Sequence, residues 1–295
     1  MAEKRMTVAQ RYQKRTPMGE IWYRLRKNKG AMIGLVVVII MLLTAVLVDV
    51  FLDYDTQVCG YNVMERLQGP SAKHPFGTDD MGRDLFYRVI YGTKYSMLIG
   101  VSAVLFSLVF GLPYGAVCGY FGGKVDLFLM RFMDILSAIP SLLLGIVVVA
   151  VLGPSITNLV IAIGIAQIPA VTNITRASVM TVRNSDYVES SRCMGLSRLS
   201  IITNHILPNC LSPILVRVTL GVANAIVSAS GLSFLGLGVP VPSPEWGALL
   251  SAGRGFIRGY SYMTLFPGLA IMITVLALNL LGDGLRDALD PKLRR

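Results

Sequence analysis

Six stretches of the chain carry too few polar positions for a water-facing surface. Residues 31–51 hold no charge until Asp49 and, at about 1.5 Å per residue, would cross an apolar layer about 30 Å thick. Further apolar blocks run over 95–118, 127–152, 156–179, 211–237 and 264–281. Inside lipid every backbone polar group must be satisfied locally, so each block is read as a helix. Ahead of the first block, Thr16-Pro17 opens a short helix on which Met18, Ile21, Trp22 and Leu25 form one apolar stripe. With Arg24, Arg26, Lys27 and Lys29 beside it, this segment reads as an amphipathic helix lying on the inner leaflet, with a merely basic flank as the alternative. The polar stretch before the first block, about thirty residues, argues against a cleavable signal. The 127–152 block carries Arg131 and Asp134 three apart on one helical face, the spacing of a local ion pair near the interface, with a transport role as the alternative.

Composition strengthens the membrane reading. Hydrophobic residues make up 54% and charged residues 15%, against roughly a quarter charged in soluble domains, which excludes an ordinary soluble enzyme. The net charge of +10 does not indicate nucleic acid, because the basic residues flank apolar blocks instead of forming one water-facing surface. They are also asymmetric. The N-terminal segment, 183–208 and the C-terminus hold most of them, whereas 52–94 and 238–263 balance theirs with acids such as Asp53, Asp55, Asp79, Asp80 and Asp84. Both termini are therefore expected in the cytoplasm. The predicted organisation is a tail and amphipathic helix (1–30), a first span (31–51), an extracytoplasmic loop (52–94), a five-helix core (95–285) and a cytoplasmic tail (286–295). The four cysteines show no CxxC spacing, so no disulfide framework or metal site follows.

Residues 183–208 are too polar to span and longer than an ordinary connection. Asn184 or Ser185 can cap a helix with Asp186 in its first turn; Gly195 would end it, and Ser197 would cap a second helix stopping before Pro208. Tyr187, Ser190, Ser191 and Met194 share a face of the first helix, while Glu189 and Arg192 point elsewhere. Two small residues between two larger ones suit close docking into a partner's groove, although a capped surface hairpin without a partner has the same pattern.

Glu189-Ser190-Ser191, Gly195 and Leu207-Pro208 resemble the EAA loop of ATP-binding-cassette importer permeases, with Ser190 and Ser191 in place of Ala and His205 where many relatives have Ile. The likeness extends to 74–84 (HPFGTDDMGRD), 119–123 (GYFGG), 205–209 (HILPN), 232–238 (LSFLGLG), 244–247 (PEWG) and 282–291 (GDGLRDALDP). Together these are similar to the second permease of dipeptide, oligopeptide and nickel importers. The resemblance implies an all-α type I importer fold with six transmembrane helices in a bacterial inner membrane. It also implies pairing with a paralogous permease, two cytoplasmic ATPases and an extracytoplasmic substrate-binding protein. Asp186, Tyr187, Glu189, Ser190, Ser191, Met194 and Gly195 would form the helix that couples the permease to an ATPase. The implied cargo is a di- or oligopeptide, with nickel or a nickel chelate as the alternative.

Other chemistries fit less well. No GxxxxGK[ST] is present, since Gly123-Lys124 is followed by Val125, so ATP and Mg would be bound by partner subunits and no cofactor by this chain. An ion-coupled secondary transporter would favour acids deep in the spans, yet Asp49 and Asp134 lie near span ends. Ser233 could mimic an intramembrane nucleophile, but His74 and His205 fall outside the spans. Asp79, Asp80, Gly82 and Asp84 fail calcium-loop spacing because Ile90 is twelfth, leaving a capped turn or helix start after Thr78. Asn173, Asn224, Ser228 and Asn279 should face protein or water, either lining a substrate path or bonding between helices. The Pro-rich stretch 242–247 would expose Glu245 and Trp246, as a docking anchor for the binding protein or an interfacial aromatic.

Overall fold

The computed structural model describes residues 17–289, with side chains from residue 19 onward; residues 1–16 of the expected 1–30 unit and residues 290–295 of the expected C-terminal tail lie outside it. Helix α1 (Pro17–Lys27) leads into α2 (Lys29–Phe51). Asn28 accepts from Ala31 N at 3.1 Å and so caps α2, turning the chain between the two helices. The stripe on α1 is divided. Leu25 is buried against Ala31 and Ala288, whereas Trp22 is exposed. Along α2, Ile33, Val36, Ile40, Leu43, Val46 and Val50 face outward, an apolar surface suited to lipid.

Helix α3 (Leu85–Phe121) begins ten residues before the expected span, capped by Asp84, which accepts from Phe86 N at 2.8 Å. It is the scaffold of the molecule, packing against α2, α6 (Ile156–Val182) and α8 (Leu211–Phe234). Gly111, Gly115 and Gly119 form a small-xxx-small ridge on it. A Cβ on Gly115 would lie 2.5 Å from Thr172 O, and one on Gly119 would lie 2.8 Å from Arg176 O. Backbone-to-backbone approach of this kind replaces the hydrophobic drive that lipid removes.

The expected 127–152 span is two helices, α4 (Gly123–Ala138) and α5 (Ser141–Leu152), bent by 85°. Pro140 is the cause: it excludes Ile139 from helical backbone, and Ile139 sits at φ −86°, ψ 123°. Arg131 and Asp134 on α4 form the expected exposed ion pair at 3.5 Å. After α6 come α7 (Asp186–Cys193), then α8, the short α9 (Trp246–Gly253) and α10 (Tyr262–Leu289), which runs eight residues past its expected end. Among the described residues, five helices are long and apolar enough to cross a membrane, and the bent pair supplies a sixth when counted as one span.

Candidate functional site

Helix α7 carries acidic Asp186 and Glu189 in its first turn and Arg192 in its last, the arrangement favoured by the helix dipole. Ser185 is the N-cap residue, although its hydroxyl donates back to Val182 O at 2.7 Å. The C-terminus closes as a Schellman turn, in which Gly195 N donates to Arg192 O at 3.0 Å and Leu196 N to Ser191 O at 3.3 Å. Gly195 has φ +78°, a conformation costly for any residue with a Cβ. Val188 joins Ile201, Ile202 and Ile206 in a buried cluster that fixes α7 to the chain.

This packing corrects the predicted docking face. Ser191 is 2% exposed and lies on the Val188 side, three residues along the helix, with its hydroxyl bonded to Tyr187 O at 2.8 Å. Its small size serves the fit against this chain. The outward surface is made by Asp186, Tyr187, Glu189, Ser190 and Met194. Three arginines tie the segment to the C-terminal end of α3. Arg183 donates to Gly119 O at 2.8 Å, Arg192 lies over the Tyr120 ring at 5.4 Å and Arg198 over the Phe121 ring at 5.7 Å.

Ser197 caps the next turn, accepting from Ser200 N, but the helix does not stop before Pro208. A π-helical stretch Ile201–Ile206 and a 3-10 stretch Leu207–Cys210 carry the chain directly into α8. Leu207 N bonds five residues back, to Ile202 O. The wider turn accommodates a proline that offers no N–H and whose ring crowds the preceding turn.

Of the predicted path residues, Asn173 on α6, Asn224 on α8 and Asn279 on α10 are exposed, and Ser228 is half-buried. None bonds to another described residue, so they do not act as hydrogen-bonded links between helices of this chain. Other polar groups in the spans were not singled out from the sequence. Arg176 forks onto Asp126 through two contacts of 2.5 Å, joining α6 to the start of α4. Gln167 has a buried Nε2 without a partner. Arg176 and Asp126 lie 50 residues apart, a pairing only the fold reveals.

On the opposite end, the expected exposure of Glu245 and Trp246 is corrected, since both are 0% exposed. Glu245 caps α9, accepting from Gly247 N and Ala248 N at 2.9 Å each. The Trp246 indole N–H donates to Val89 O at 2.9 Å. Gly92 makes room, because a Cβ there would stand 2.3 Å from Pro244 O. These residues therefore lock α9 onto α3 and cannot themselves serve as a surface anchor.

The 74–84 motif folds inward too. Asp79 accepts from Met81 N and Arg83 N at 2.9 Å and from Arg83 Nε at 2.6 Å, closing a tight turn through Gly82. Arg88 approaches the same carboxylate at 3.7 Å and donates to Val58 O and Pro242 O. His74 Nδ1 bonds Asp84 at 2.9 Å. Asp79 and Asp84 are thus taken up by arginines, backbone N–H groups and a histidine, and among the described residues no His/Cys/Asp/Glu group has metal-binding geometry.

Residues 111–295 match the family described as binding-protein-dependent transport system inner membrane component, and residues 16–70 match the N-terminal transmembrane domain of oligopeptide transport permease C. The chain belongs to the binding-protein-dependent inner membrane permeases. It is 44% identical to the dipeptide transport system permease protein DppC of Alkalihalophilus pseudofirmus, over 95% of this chain and 91% of that protein. A di/tripeptide permease DppC of Pseudomonas aeruginosa is 43% identical, over 95% and 93%. A glutathione transport system permease GsiD of Escherichia coli is 42% identical, over 96% and 93%. A chain of the inward-facing MetNI methionine ABC transporter superposes with a TM-score of 0.57 over 70% of this chain and 98% of its own, at 16% identity, which establishes the shared fold. This permease is accordingly a multi-pass subunit of an ATP-binding-cassette importer, and membership of its family implies ATPase and binding-protein partners.

Proposed function

We propose that this chain forms half of the translocation pore of an importer of di- and tripeptides, paired with a paralogous permease. Its termini and α7 lie in the cytoplasm, and α7 seats in a groove of one ATPase subunit, where ATP and Mg are bound. The observation that carries the coupling role is α7 itself: an eight-residue helix closed by the turn at Gly195, whose buried side fixes it to the transmembrane bundle, leaving Tyr187, Glu189, Ser190 and Met194 outward. A helix held this firmly moves as one body with α6 and α8, so closure of the ATPases is transmitted to the spans. The peptide cargo is supported by the relatives, named for dipeptides, di/tripeptides and glutathione. Glutathione is itself a tripeptide, so one substrate class, short peptides, covers all three.

The test is uptake of labelled Ala-Ala by the purified complete complex in proteoliposomes, with Gly195→Val as the variant. No atom stands within 4 Å of a Cβ at Gly195, so the substitution strains φ without a clash, at about 1–2 kcal/mol. Assembly should persist while uptake per ATP hydrolysed falls. Uptake at the unmodified level would remove α7 from the coupling path.

A further inference from the structure

A groove of about 650 Å³ opens where the last turns of α6, the start of α8 and the end of α10 meet, in the size range of small-ligand sites at about 300–1,000 Å³. Its floor is α8, through Ser212, Val216, Arg217 and Leu220, and its sides are α6, through Ser178, and α10, through Arg286. Most of the lining is apolar. Within it, the half-buried Arg217 and the exposed Arg286 form no ion pair or hydrogen bond with any described residue. A guanidinium cannot shed its charge, and in apolar surroundings it is stabilised by an anion that accepts two parallel hydrogen bonds.

The groove continues into a polar track. On α8, Asn224 and Ser228 follow Leu220 at four-residue steps, and on α10 Asp283 and Asn279 precede Arg286 by three and seven residues; the asparagines and Asp283 are exposed. An acyl chain would gain nothing from such a track, whereas a hydrated zwitterion moving between paired permeases would keep polar partners along it. Resting on the import reading above, we infer that this groove is a cytoplasmic-side exit site for the cargo, where Arg217 and Arg286 hold the peptide's terminal carboxylate and the apolar walls accept side chains of varied shape.

The experiment uses the complete complex in phosphatidylglycerol-containing nanodiscs, carrying Ser212→Cys, with modification at position 212 read by mass spectrometry. An anionic methanethiosulfonate should react faster than its cationic counterpart. Ala-Ala at about four times its half-protecting concentration should slow the reaction about fivefold, as site occupancy dictates, and the C-terminal amide of Ala-Ala at the same concentration should not. Arg217→Gln with Arg286→Gln should abolish both the reagent preference and the protection. Equal protection by the amide, no protection, or no modification because the paired permease covers the groove would overturn the inference. Modification that appears only when phosphatidylcholine replaces phosphatidylglycerol would overturn it in favour of a lipid. Ala-Ala uptake by the same Ser212→Cys complex reconstituted in proteoliposomes is measured in parallel. Uptake without protection defeats the carboxylate site alone, while absence of uptake by the unmodified complex defeats the import reading.

Discussion

The segment before α3 and the segment around α7 are both short, polar and dense in residues that resemble family motifs, yet they use those residues in opposite ways. Before α3 and in its first turn, His74, Asp79, Arg83 and Arg88 are each less than 10% exposed, with Arg83 bonded to Asp79 and His74 to Asp84. Around α7, only Val188 and Ser191 turn inward, and most of the remaining helix surface is open. A motif made of charges can therefore be a fastening, while one built on small residues can leave most of its helix open. Burial and hydrogen-bond partners distinguish them. The loop before α3 and the stretch leading into α9 are fastened into one unit, a lid over the starts of α3 and α10, because Arg88 bridges Val58 O to Pro242 O and Tyr262 reaches Thr78 O at 3.0 Å.

The largest effect is expected where that fastening is broken. Asp79→Ala removes the acceptor of two backbone N–H groups and of Arg83 and leaves Arg83 and Arg88 buried without a counter-charge. Stranding a buried charge costs about 3–5 kcal/mol, so the thermal midpoint of the purified complex should drop steeply or the chain should fail to assemble. A midpoint within a degree or two of the unmodified complex would place these charges with surface pairs.

Next in size is a paired test on α7. Ser191→Trp must force an indole into the space beside Val188, and overpacking of this kind costs about 1–3 kcal/mol or more. It should reduce the yield of folded chain. Ser190→Trp points outward and should leave folding intact while lowering the amount of ATPase subunit that co-purifies. If both variants fold equally and both retain the ATPases, the inward and outward sides of α7 have been wrongly assigned.

A smaller change probes the lid again. Trp246→Phe keeps most of the buried ring but removes the donor to Val89 O. A loss of about 1–2 kcal/mol follows from leaving a buried hydrogen bond unmade, read as a modest fall in thermal midpoint with uptake preserved. If Trp246 instead contacts the binding protein, the midpoint should stay and the binding protein's stimulation of ATP hydrolysis should fall.

The sequence was most informative where one local rule decides the outcome. Uninterrupted apolar length marked α2, and Gly195 marked the end of α7, because span length and positive φ are local properties. It was least informative where partners lie far apart in the chain. The forked contact of Arg176 with Asp126, the stacking of Arg192 on Tyr120 and the burial of Trp246 against Val89 depend on how helices pack. Two features were legible and passed over. Pro140 after Ile139 announces the break between α4 and α5, and the four-residue spacing of Gly111, Gly115 and Gly119 announces the close contact with α6. The side of α7 on which Ser191 falls could not be read, since serine suits both an interior and a partner's groove.

The smallest expected effect lies at the rim of the lid, where Glu65 pairs with Lys73 and its carboxylate Oε2 stands 3.5 Å from His74 Nε2. The hydrogen bond from Lys73 is the main reason the Glu65 carboxyl titrates below the ordinary glutamate range. A carboxyl depressed in the folded state contributes stability that is fully present above its unfolded value and disappears as pH falls through the folded one. The pair is solvent-exposed and screened by salt, so its contribution is slight. Glu65→Gln keeps the backbone carbonyl that accepts the Thr78 hydroxyl at 2.5 Å, leaving the turn intact while removing the titration. The thermal midpoint of this variant should match the unmodified complex at neutral pH to within a degree or so and decline slightly less between about pH 5 and pH 3. A large difference at neutral pH would show that the rim fastens the lid as strongly as Asp79 does, and the contrast between buried and exposed charges within this one loop would then fail.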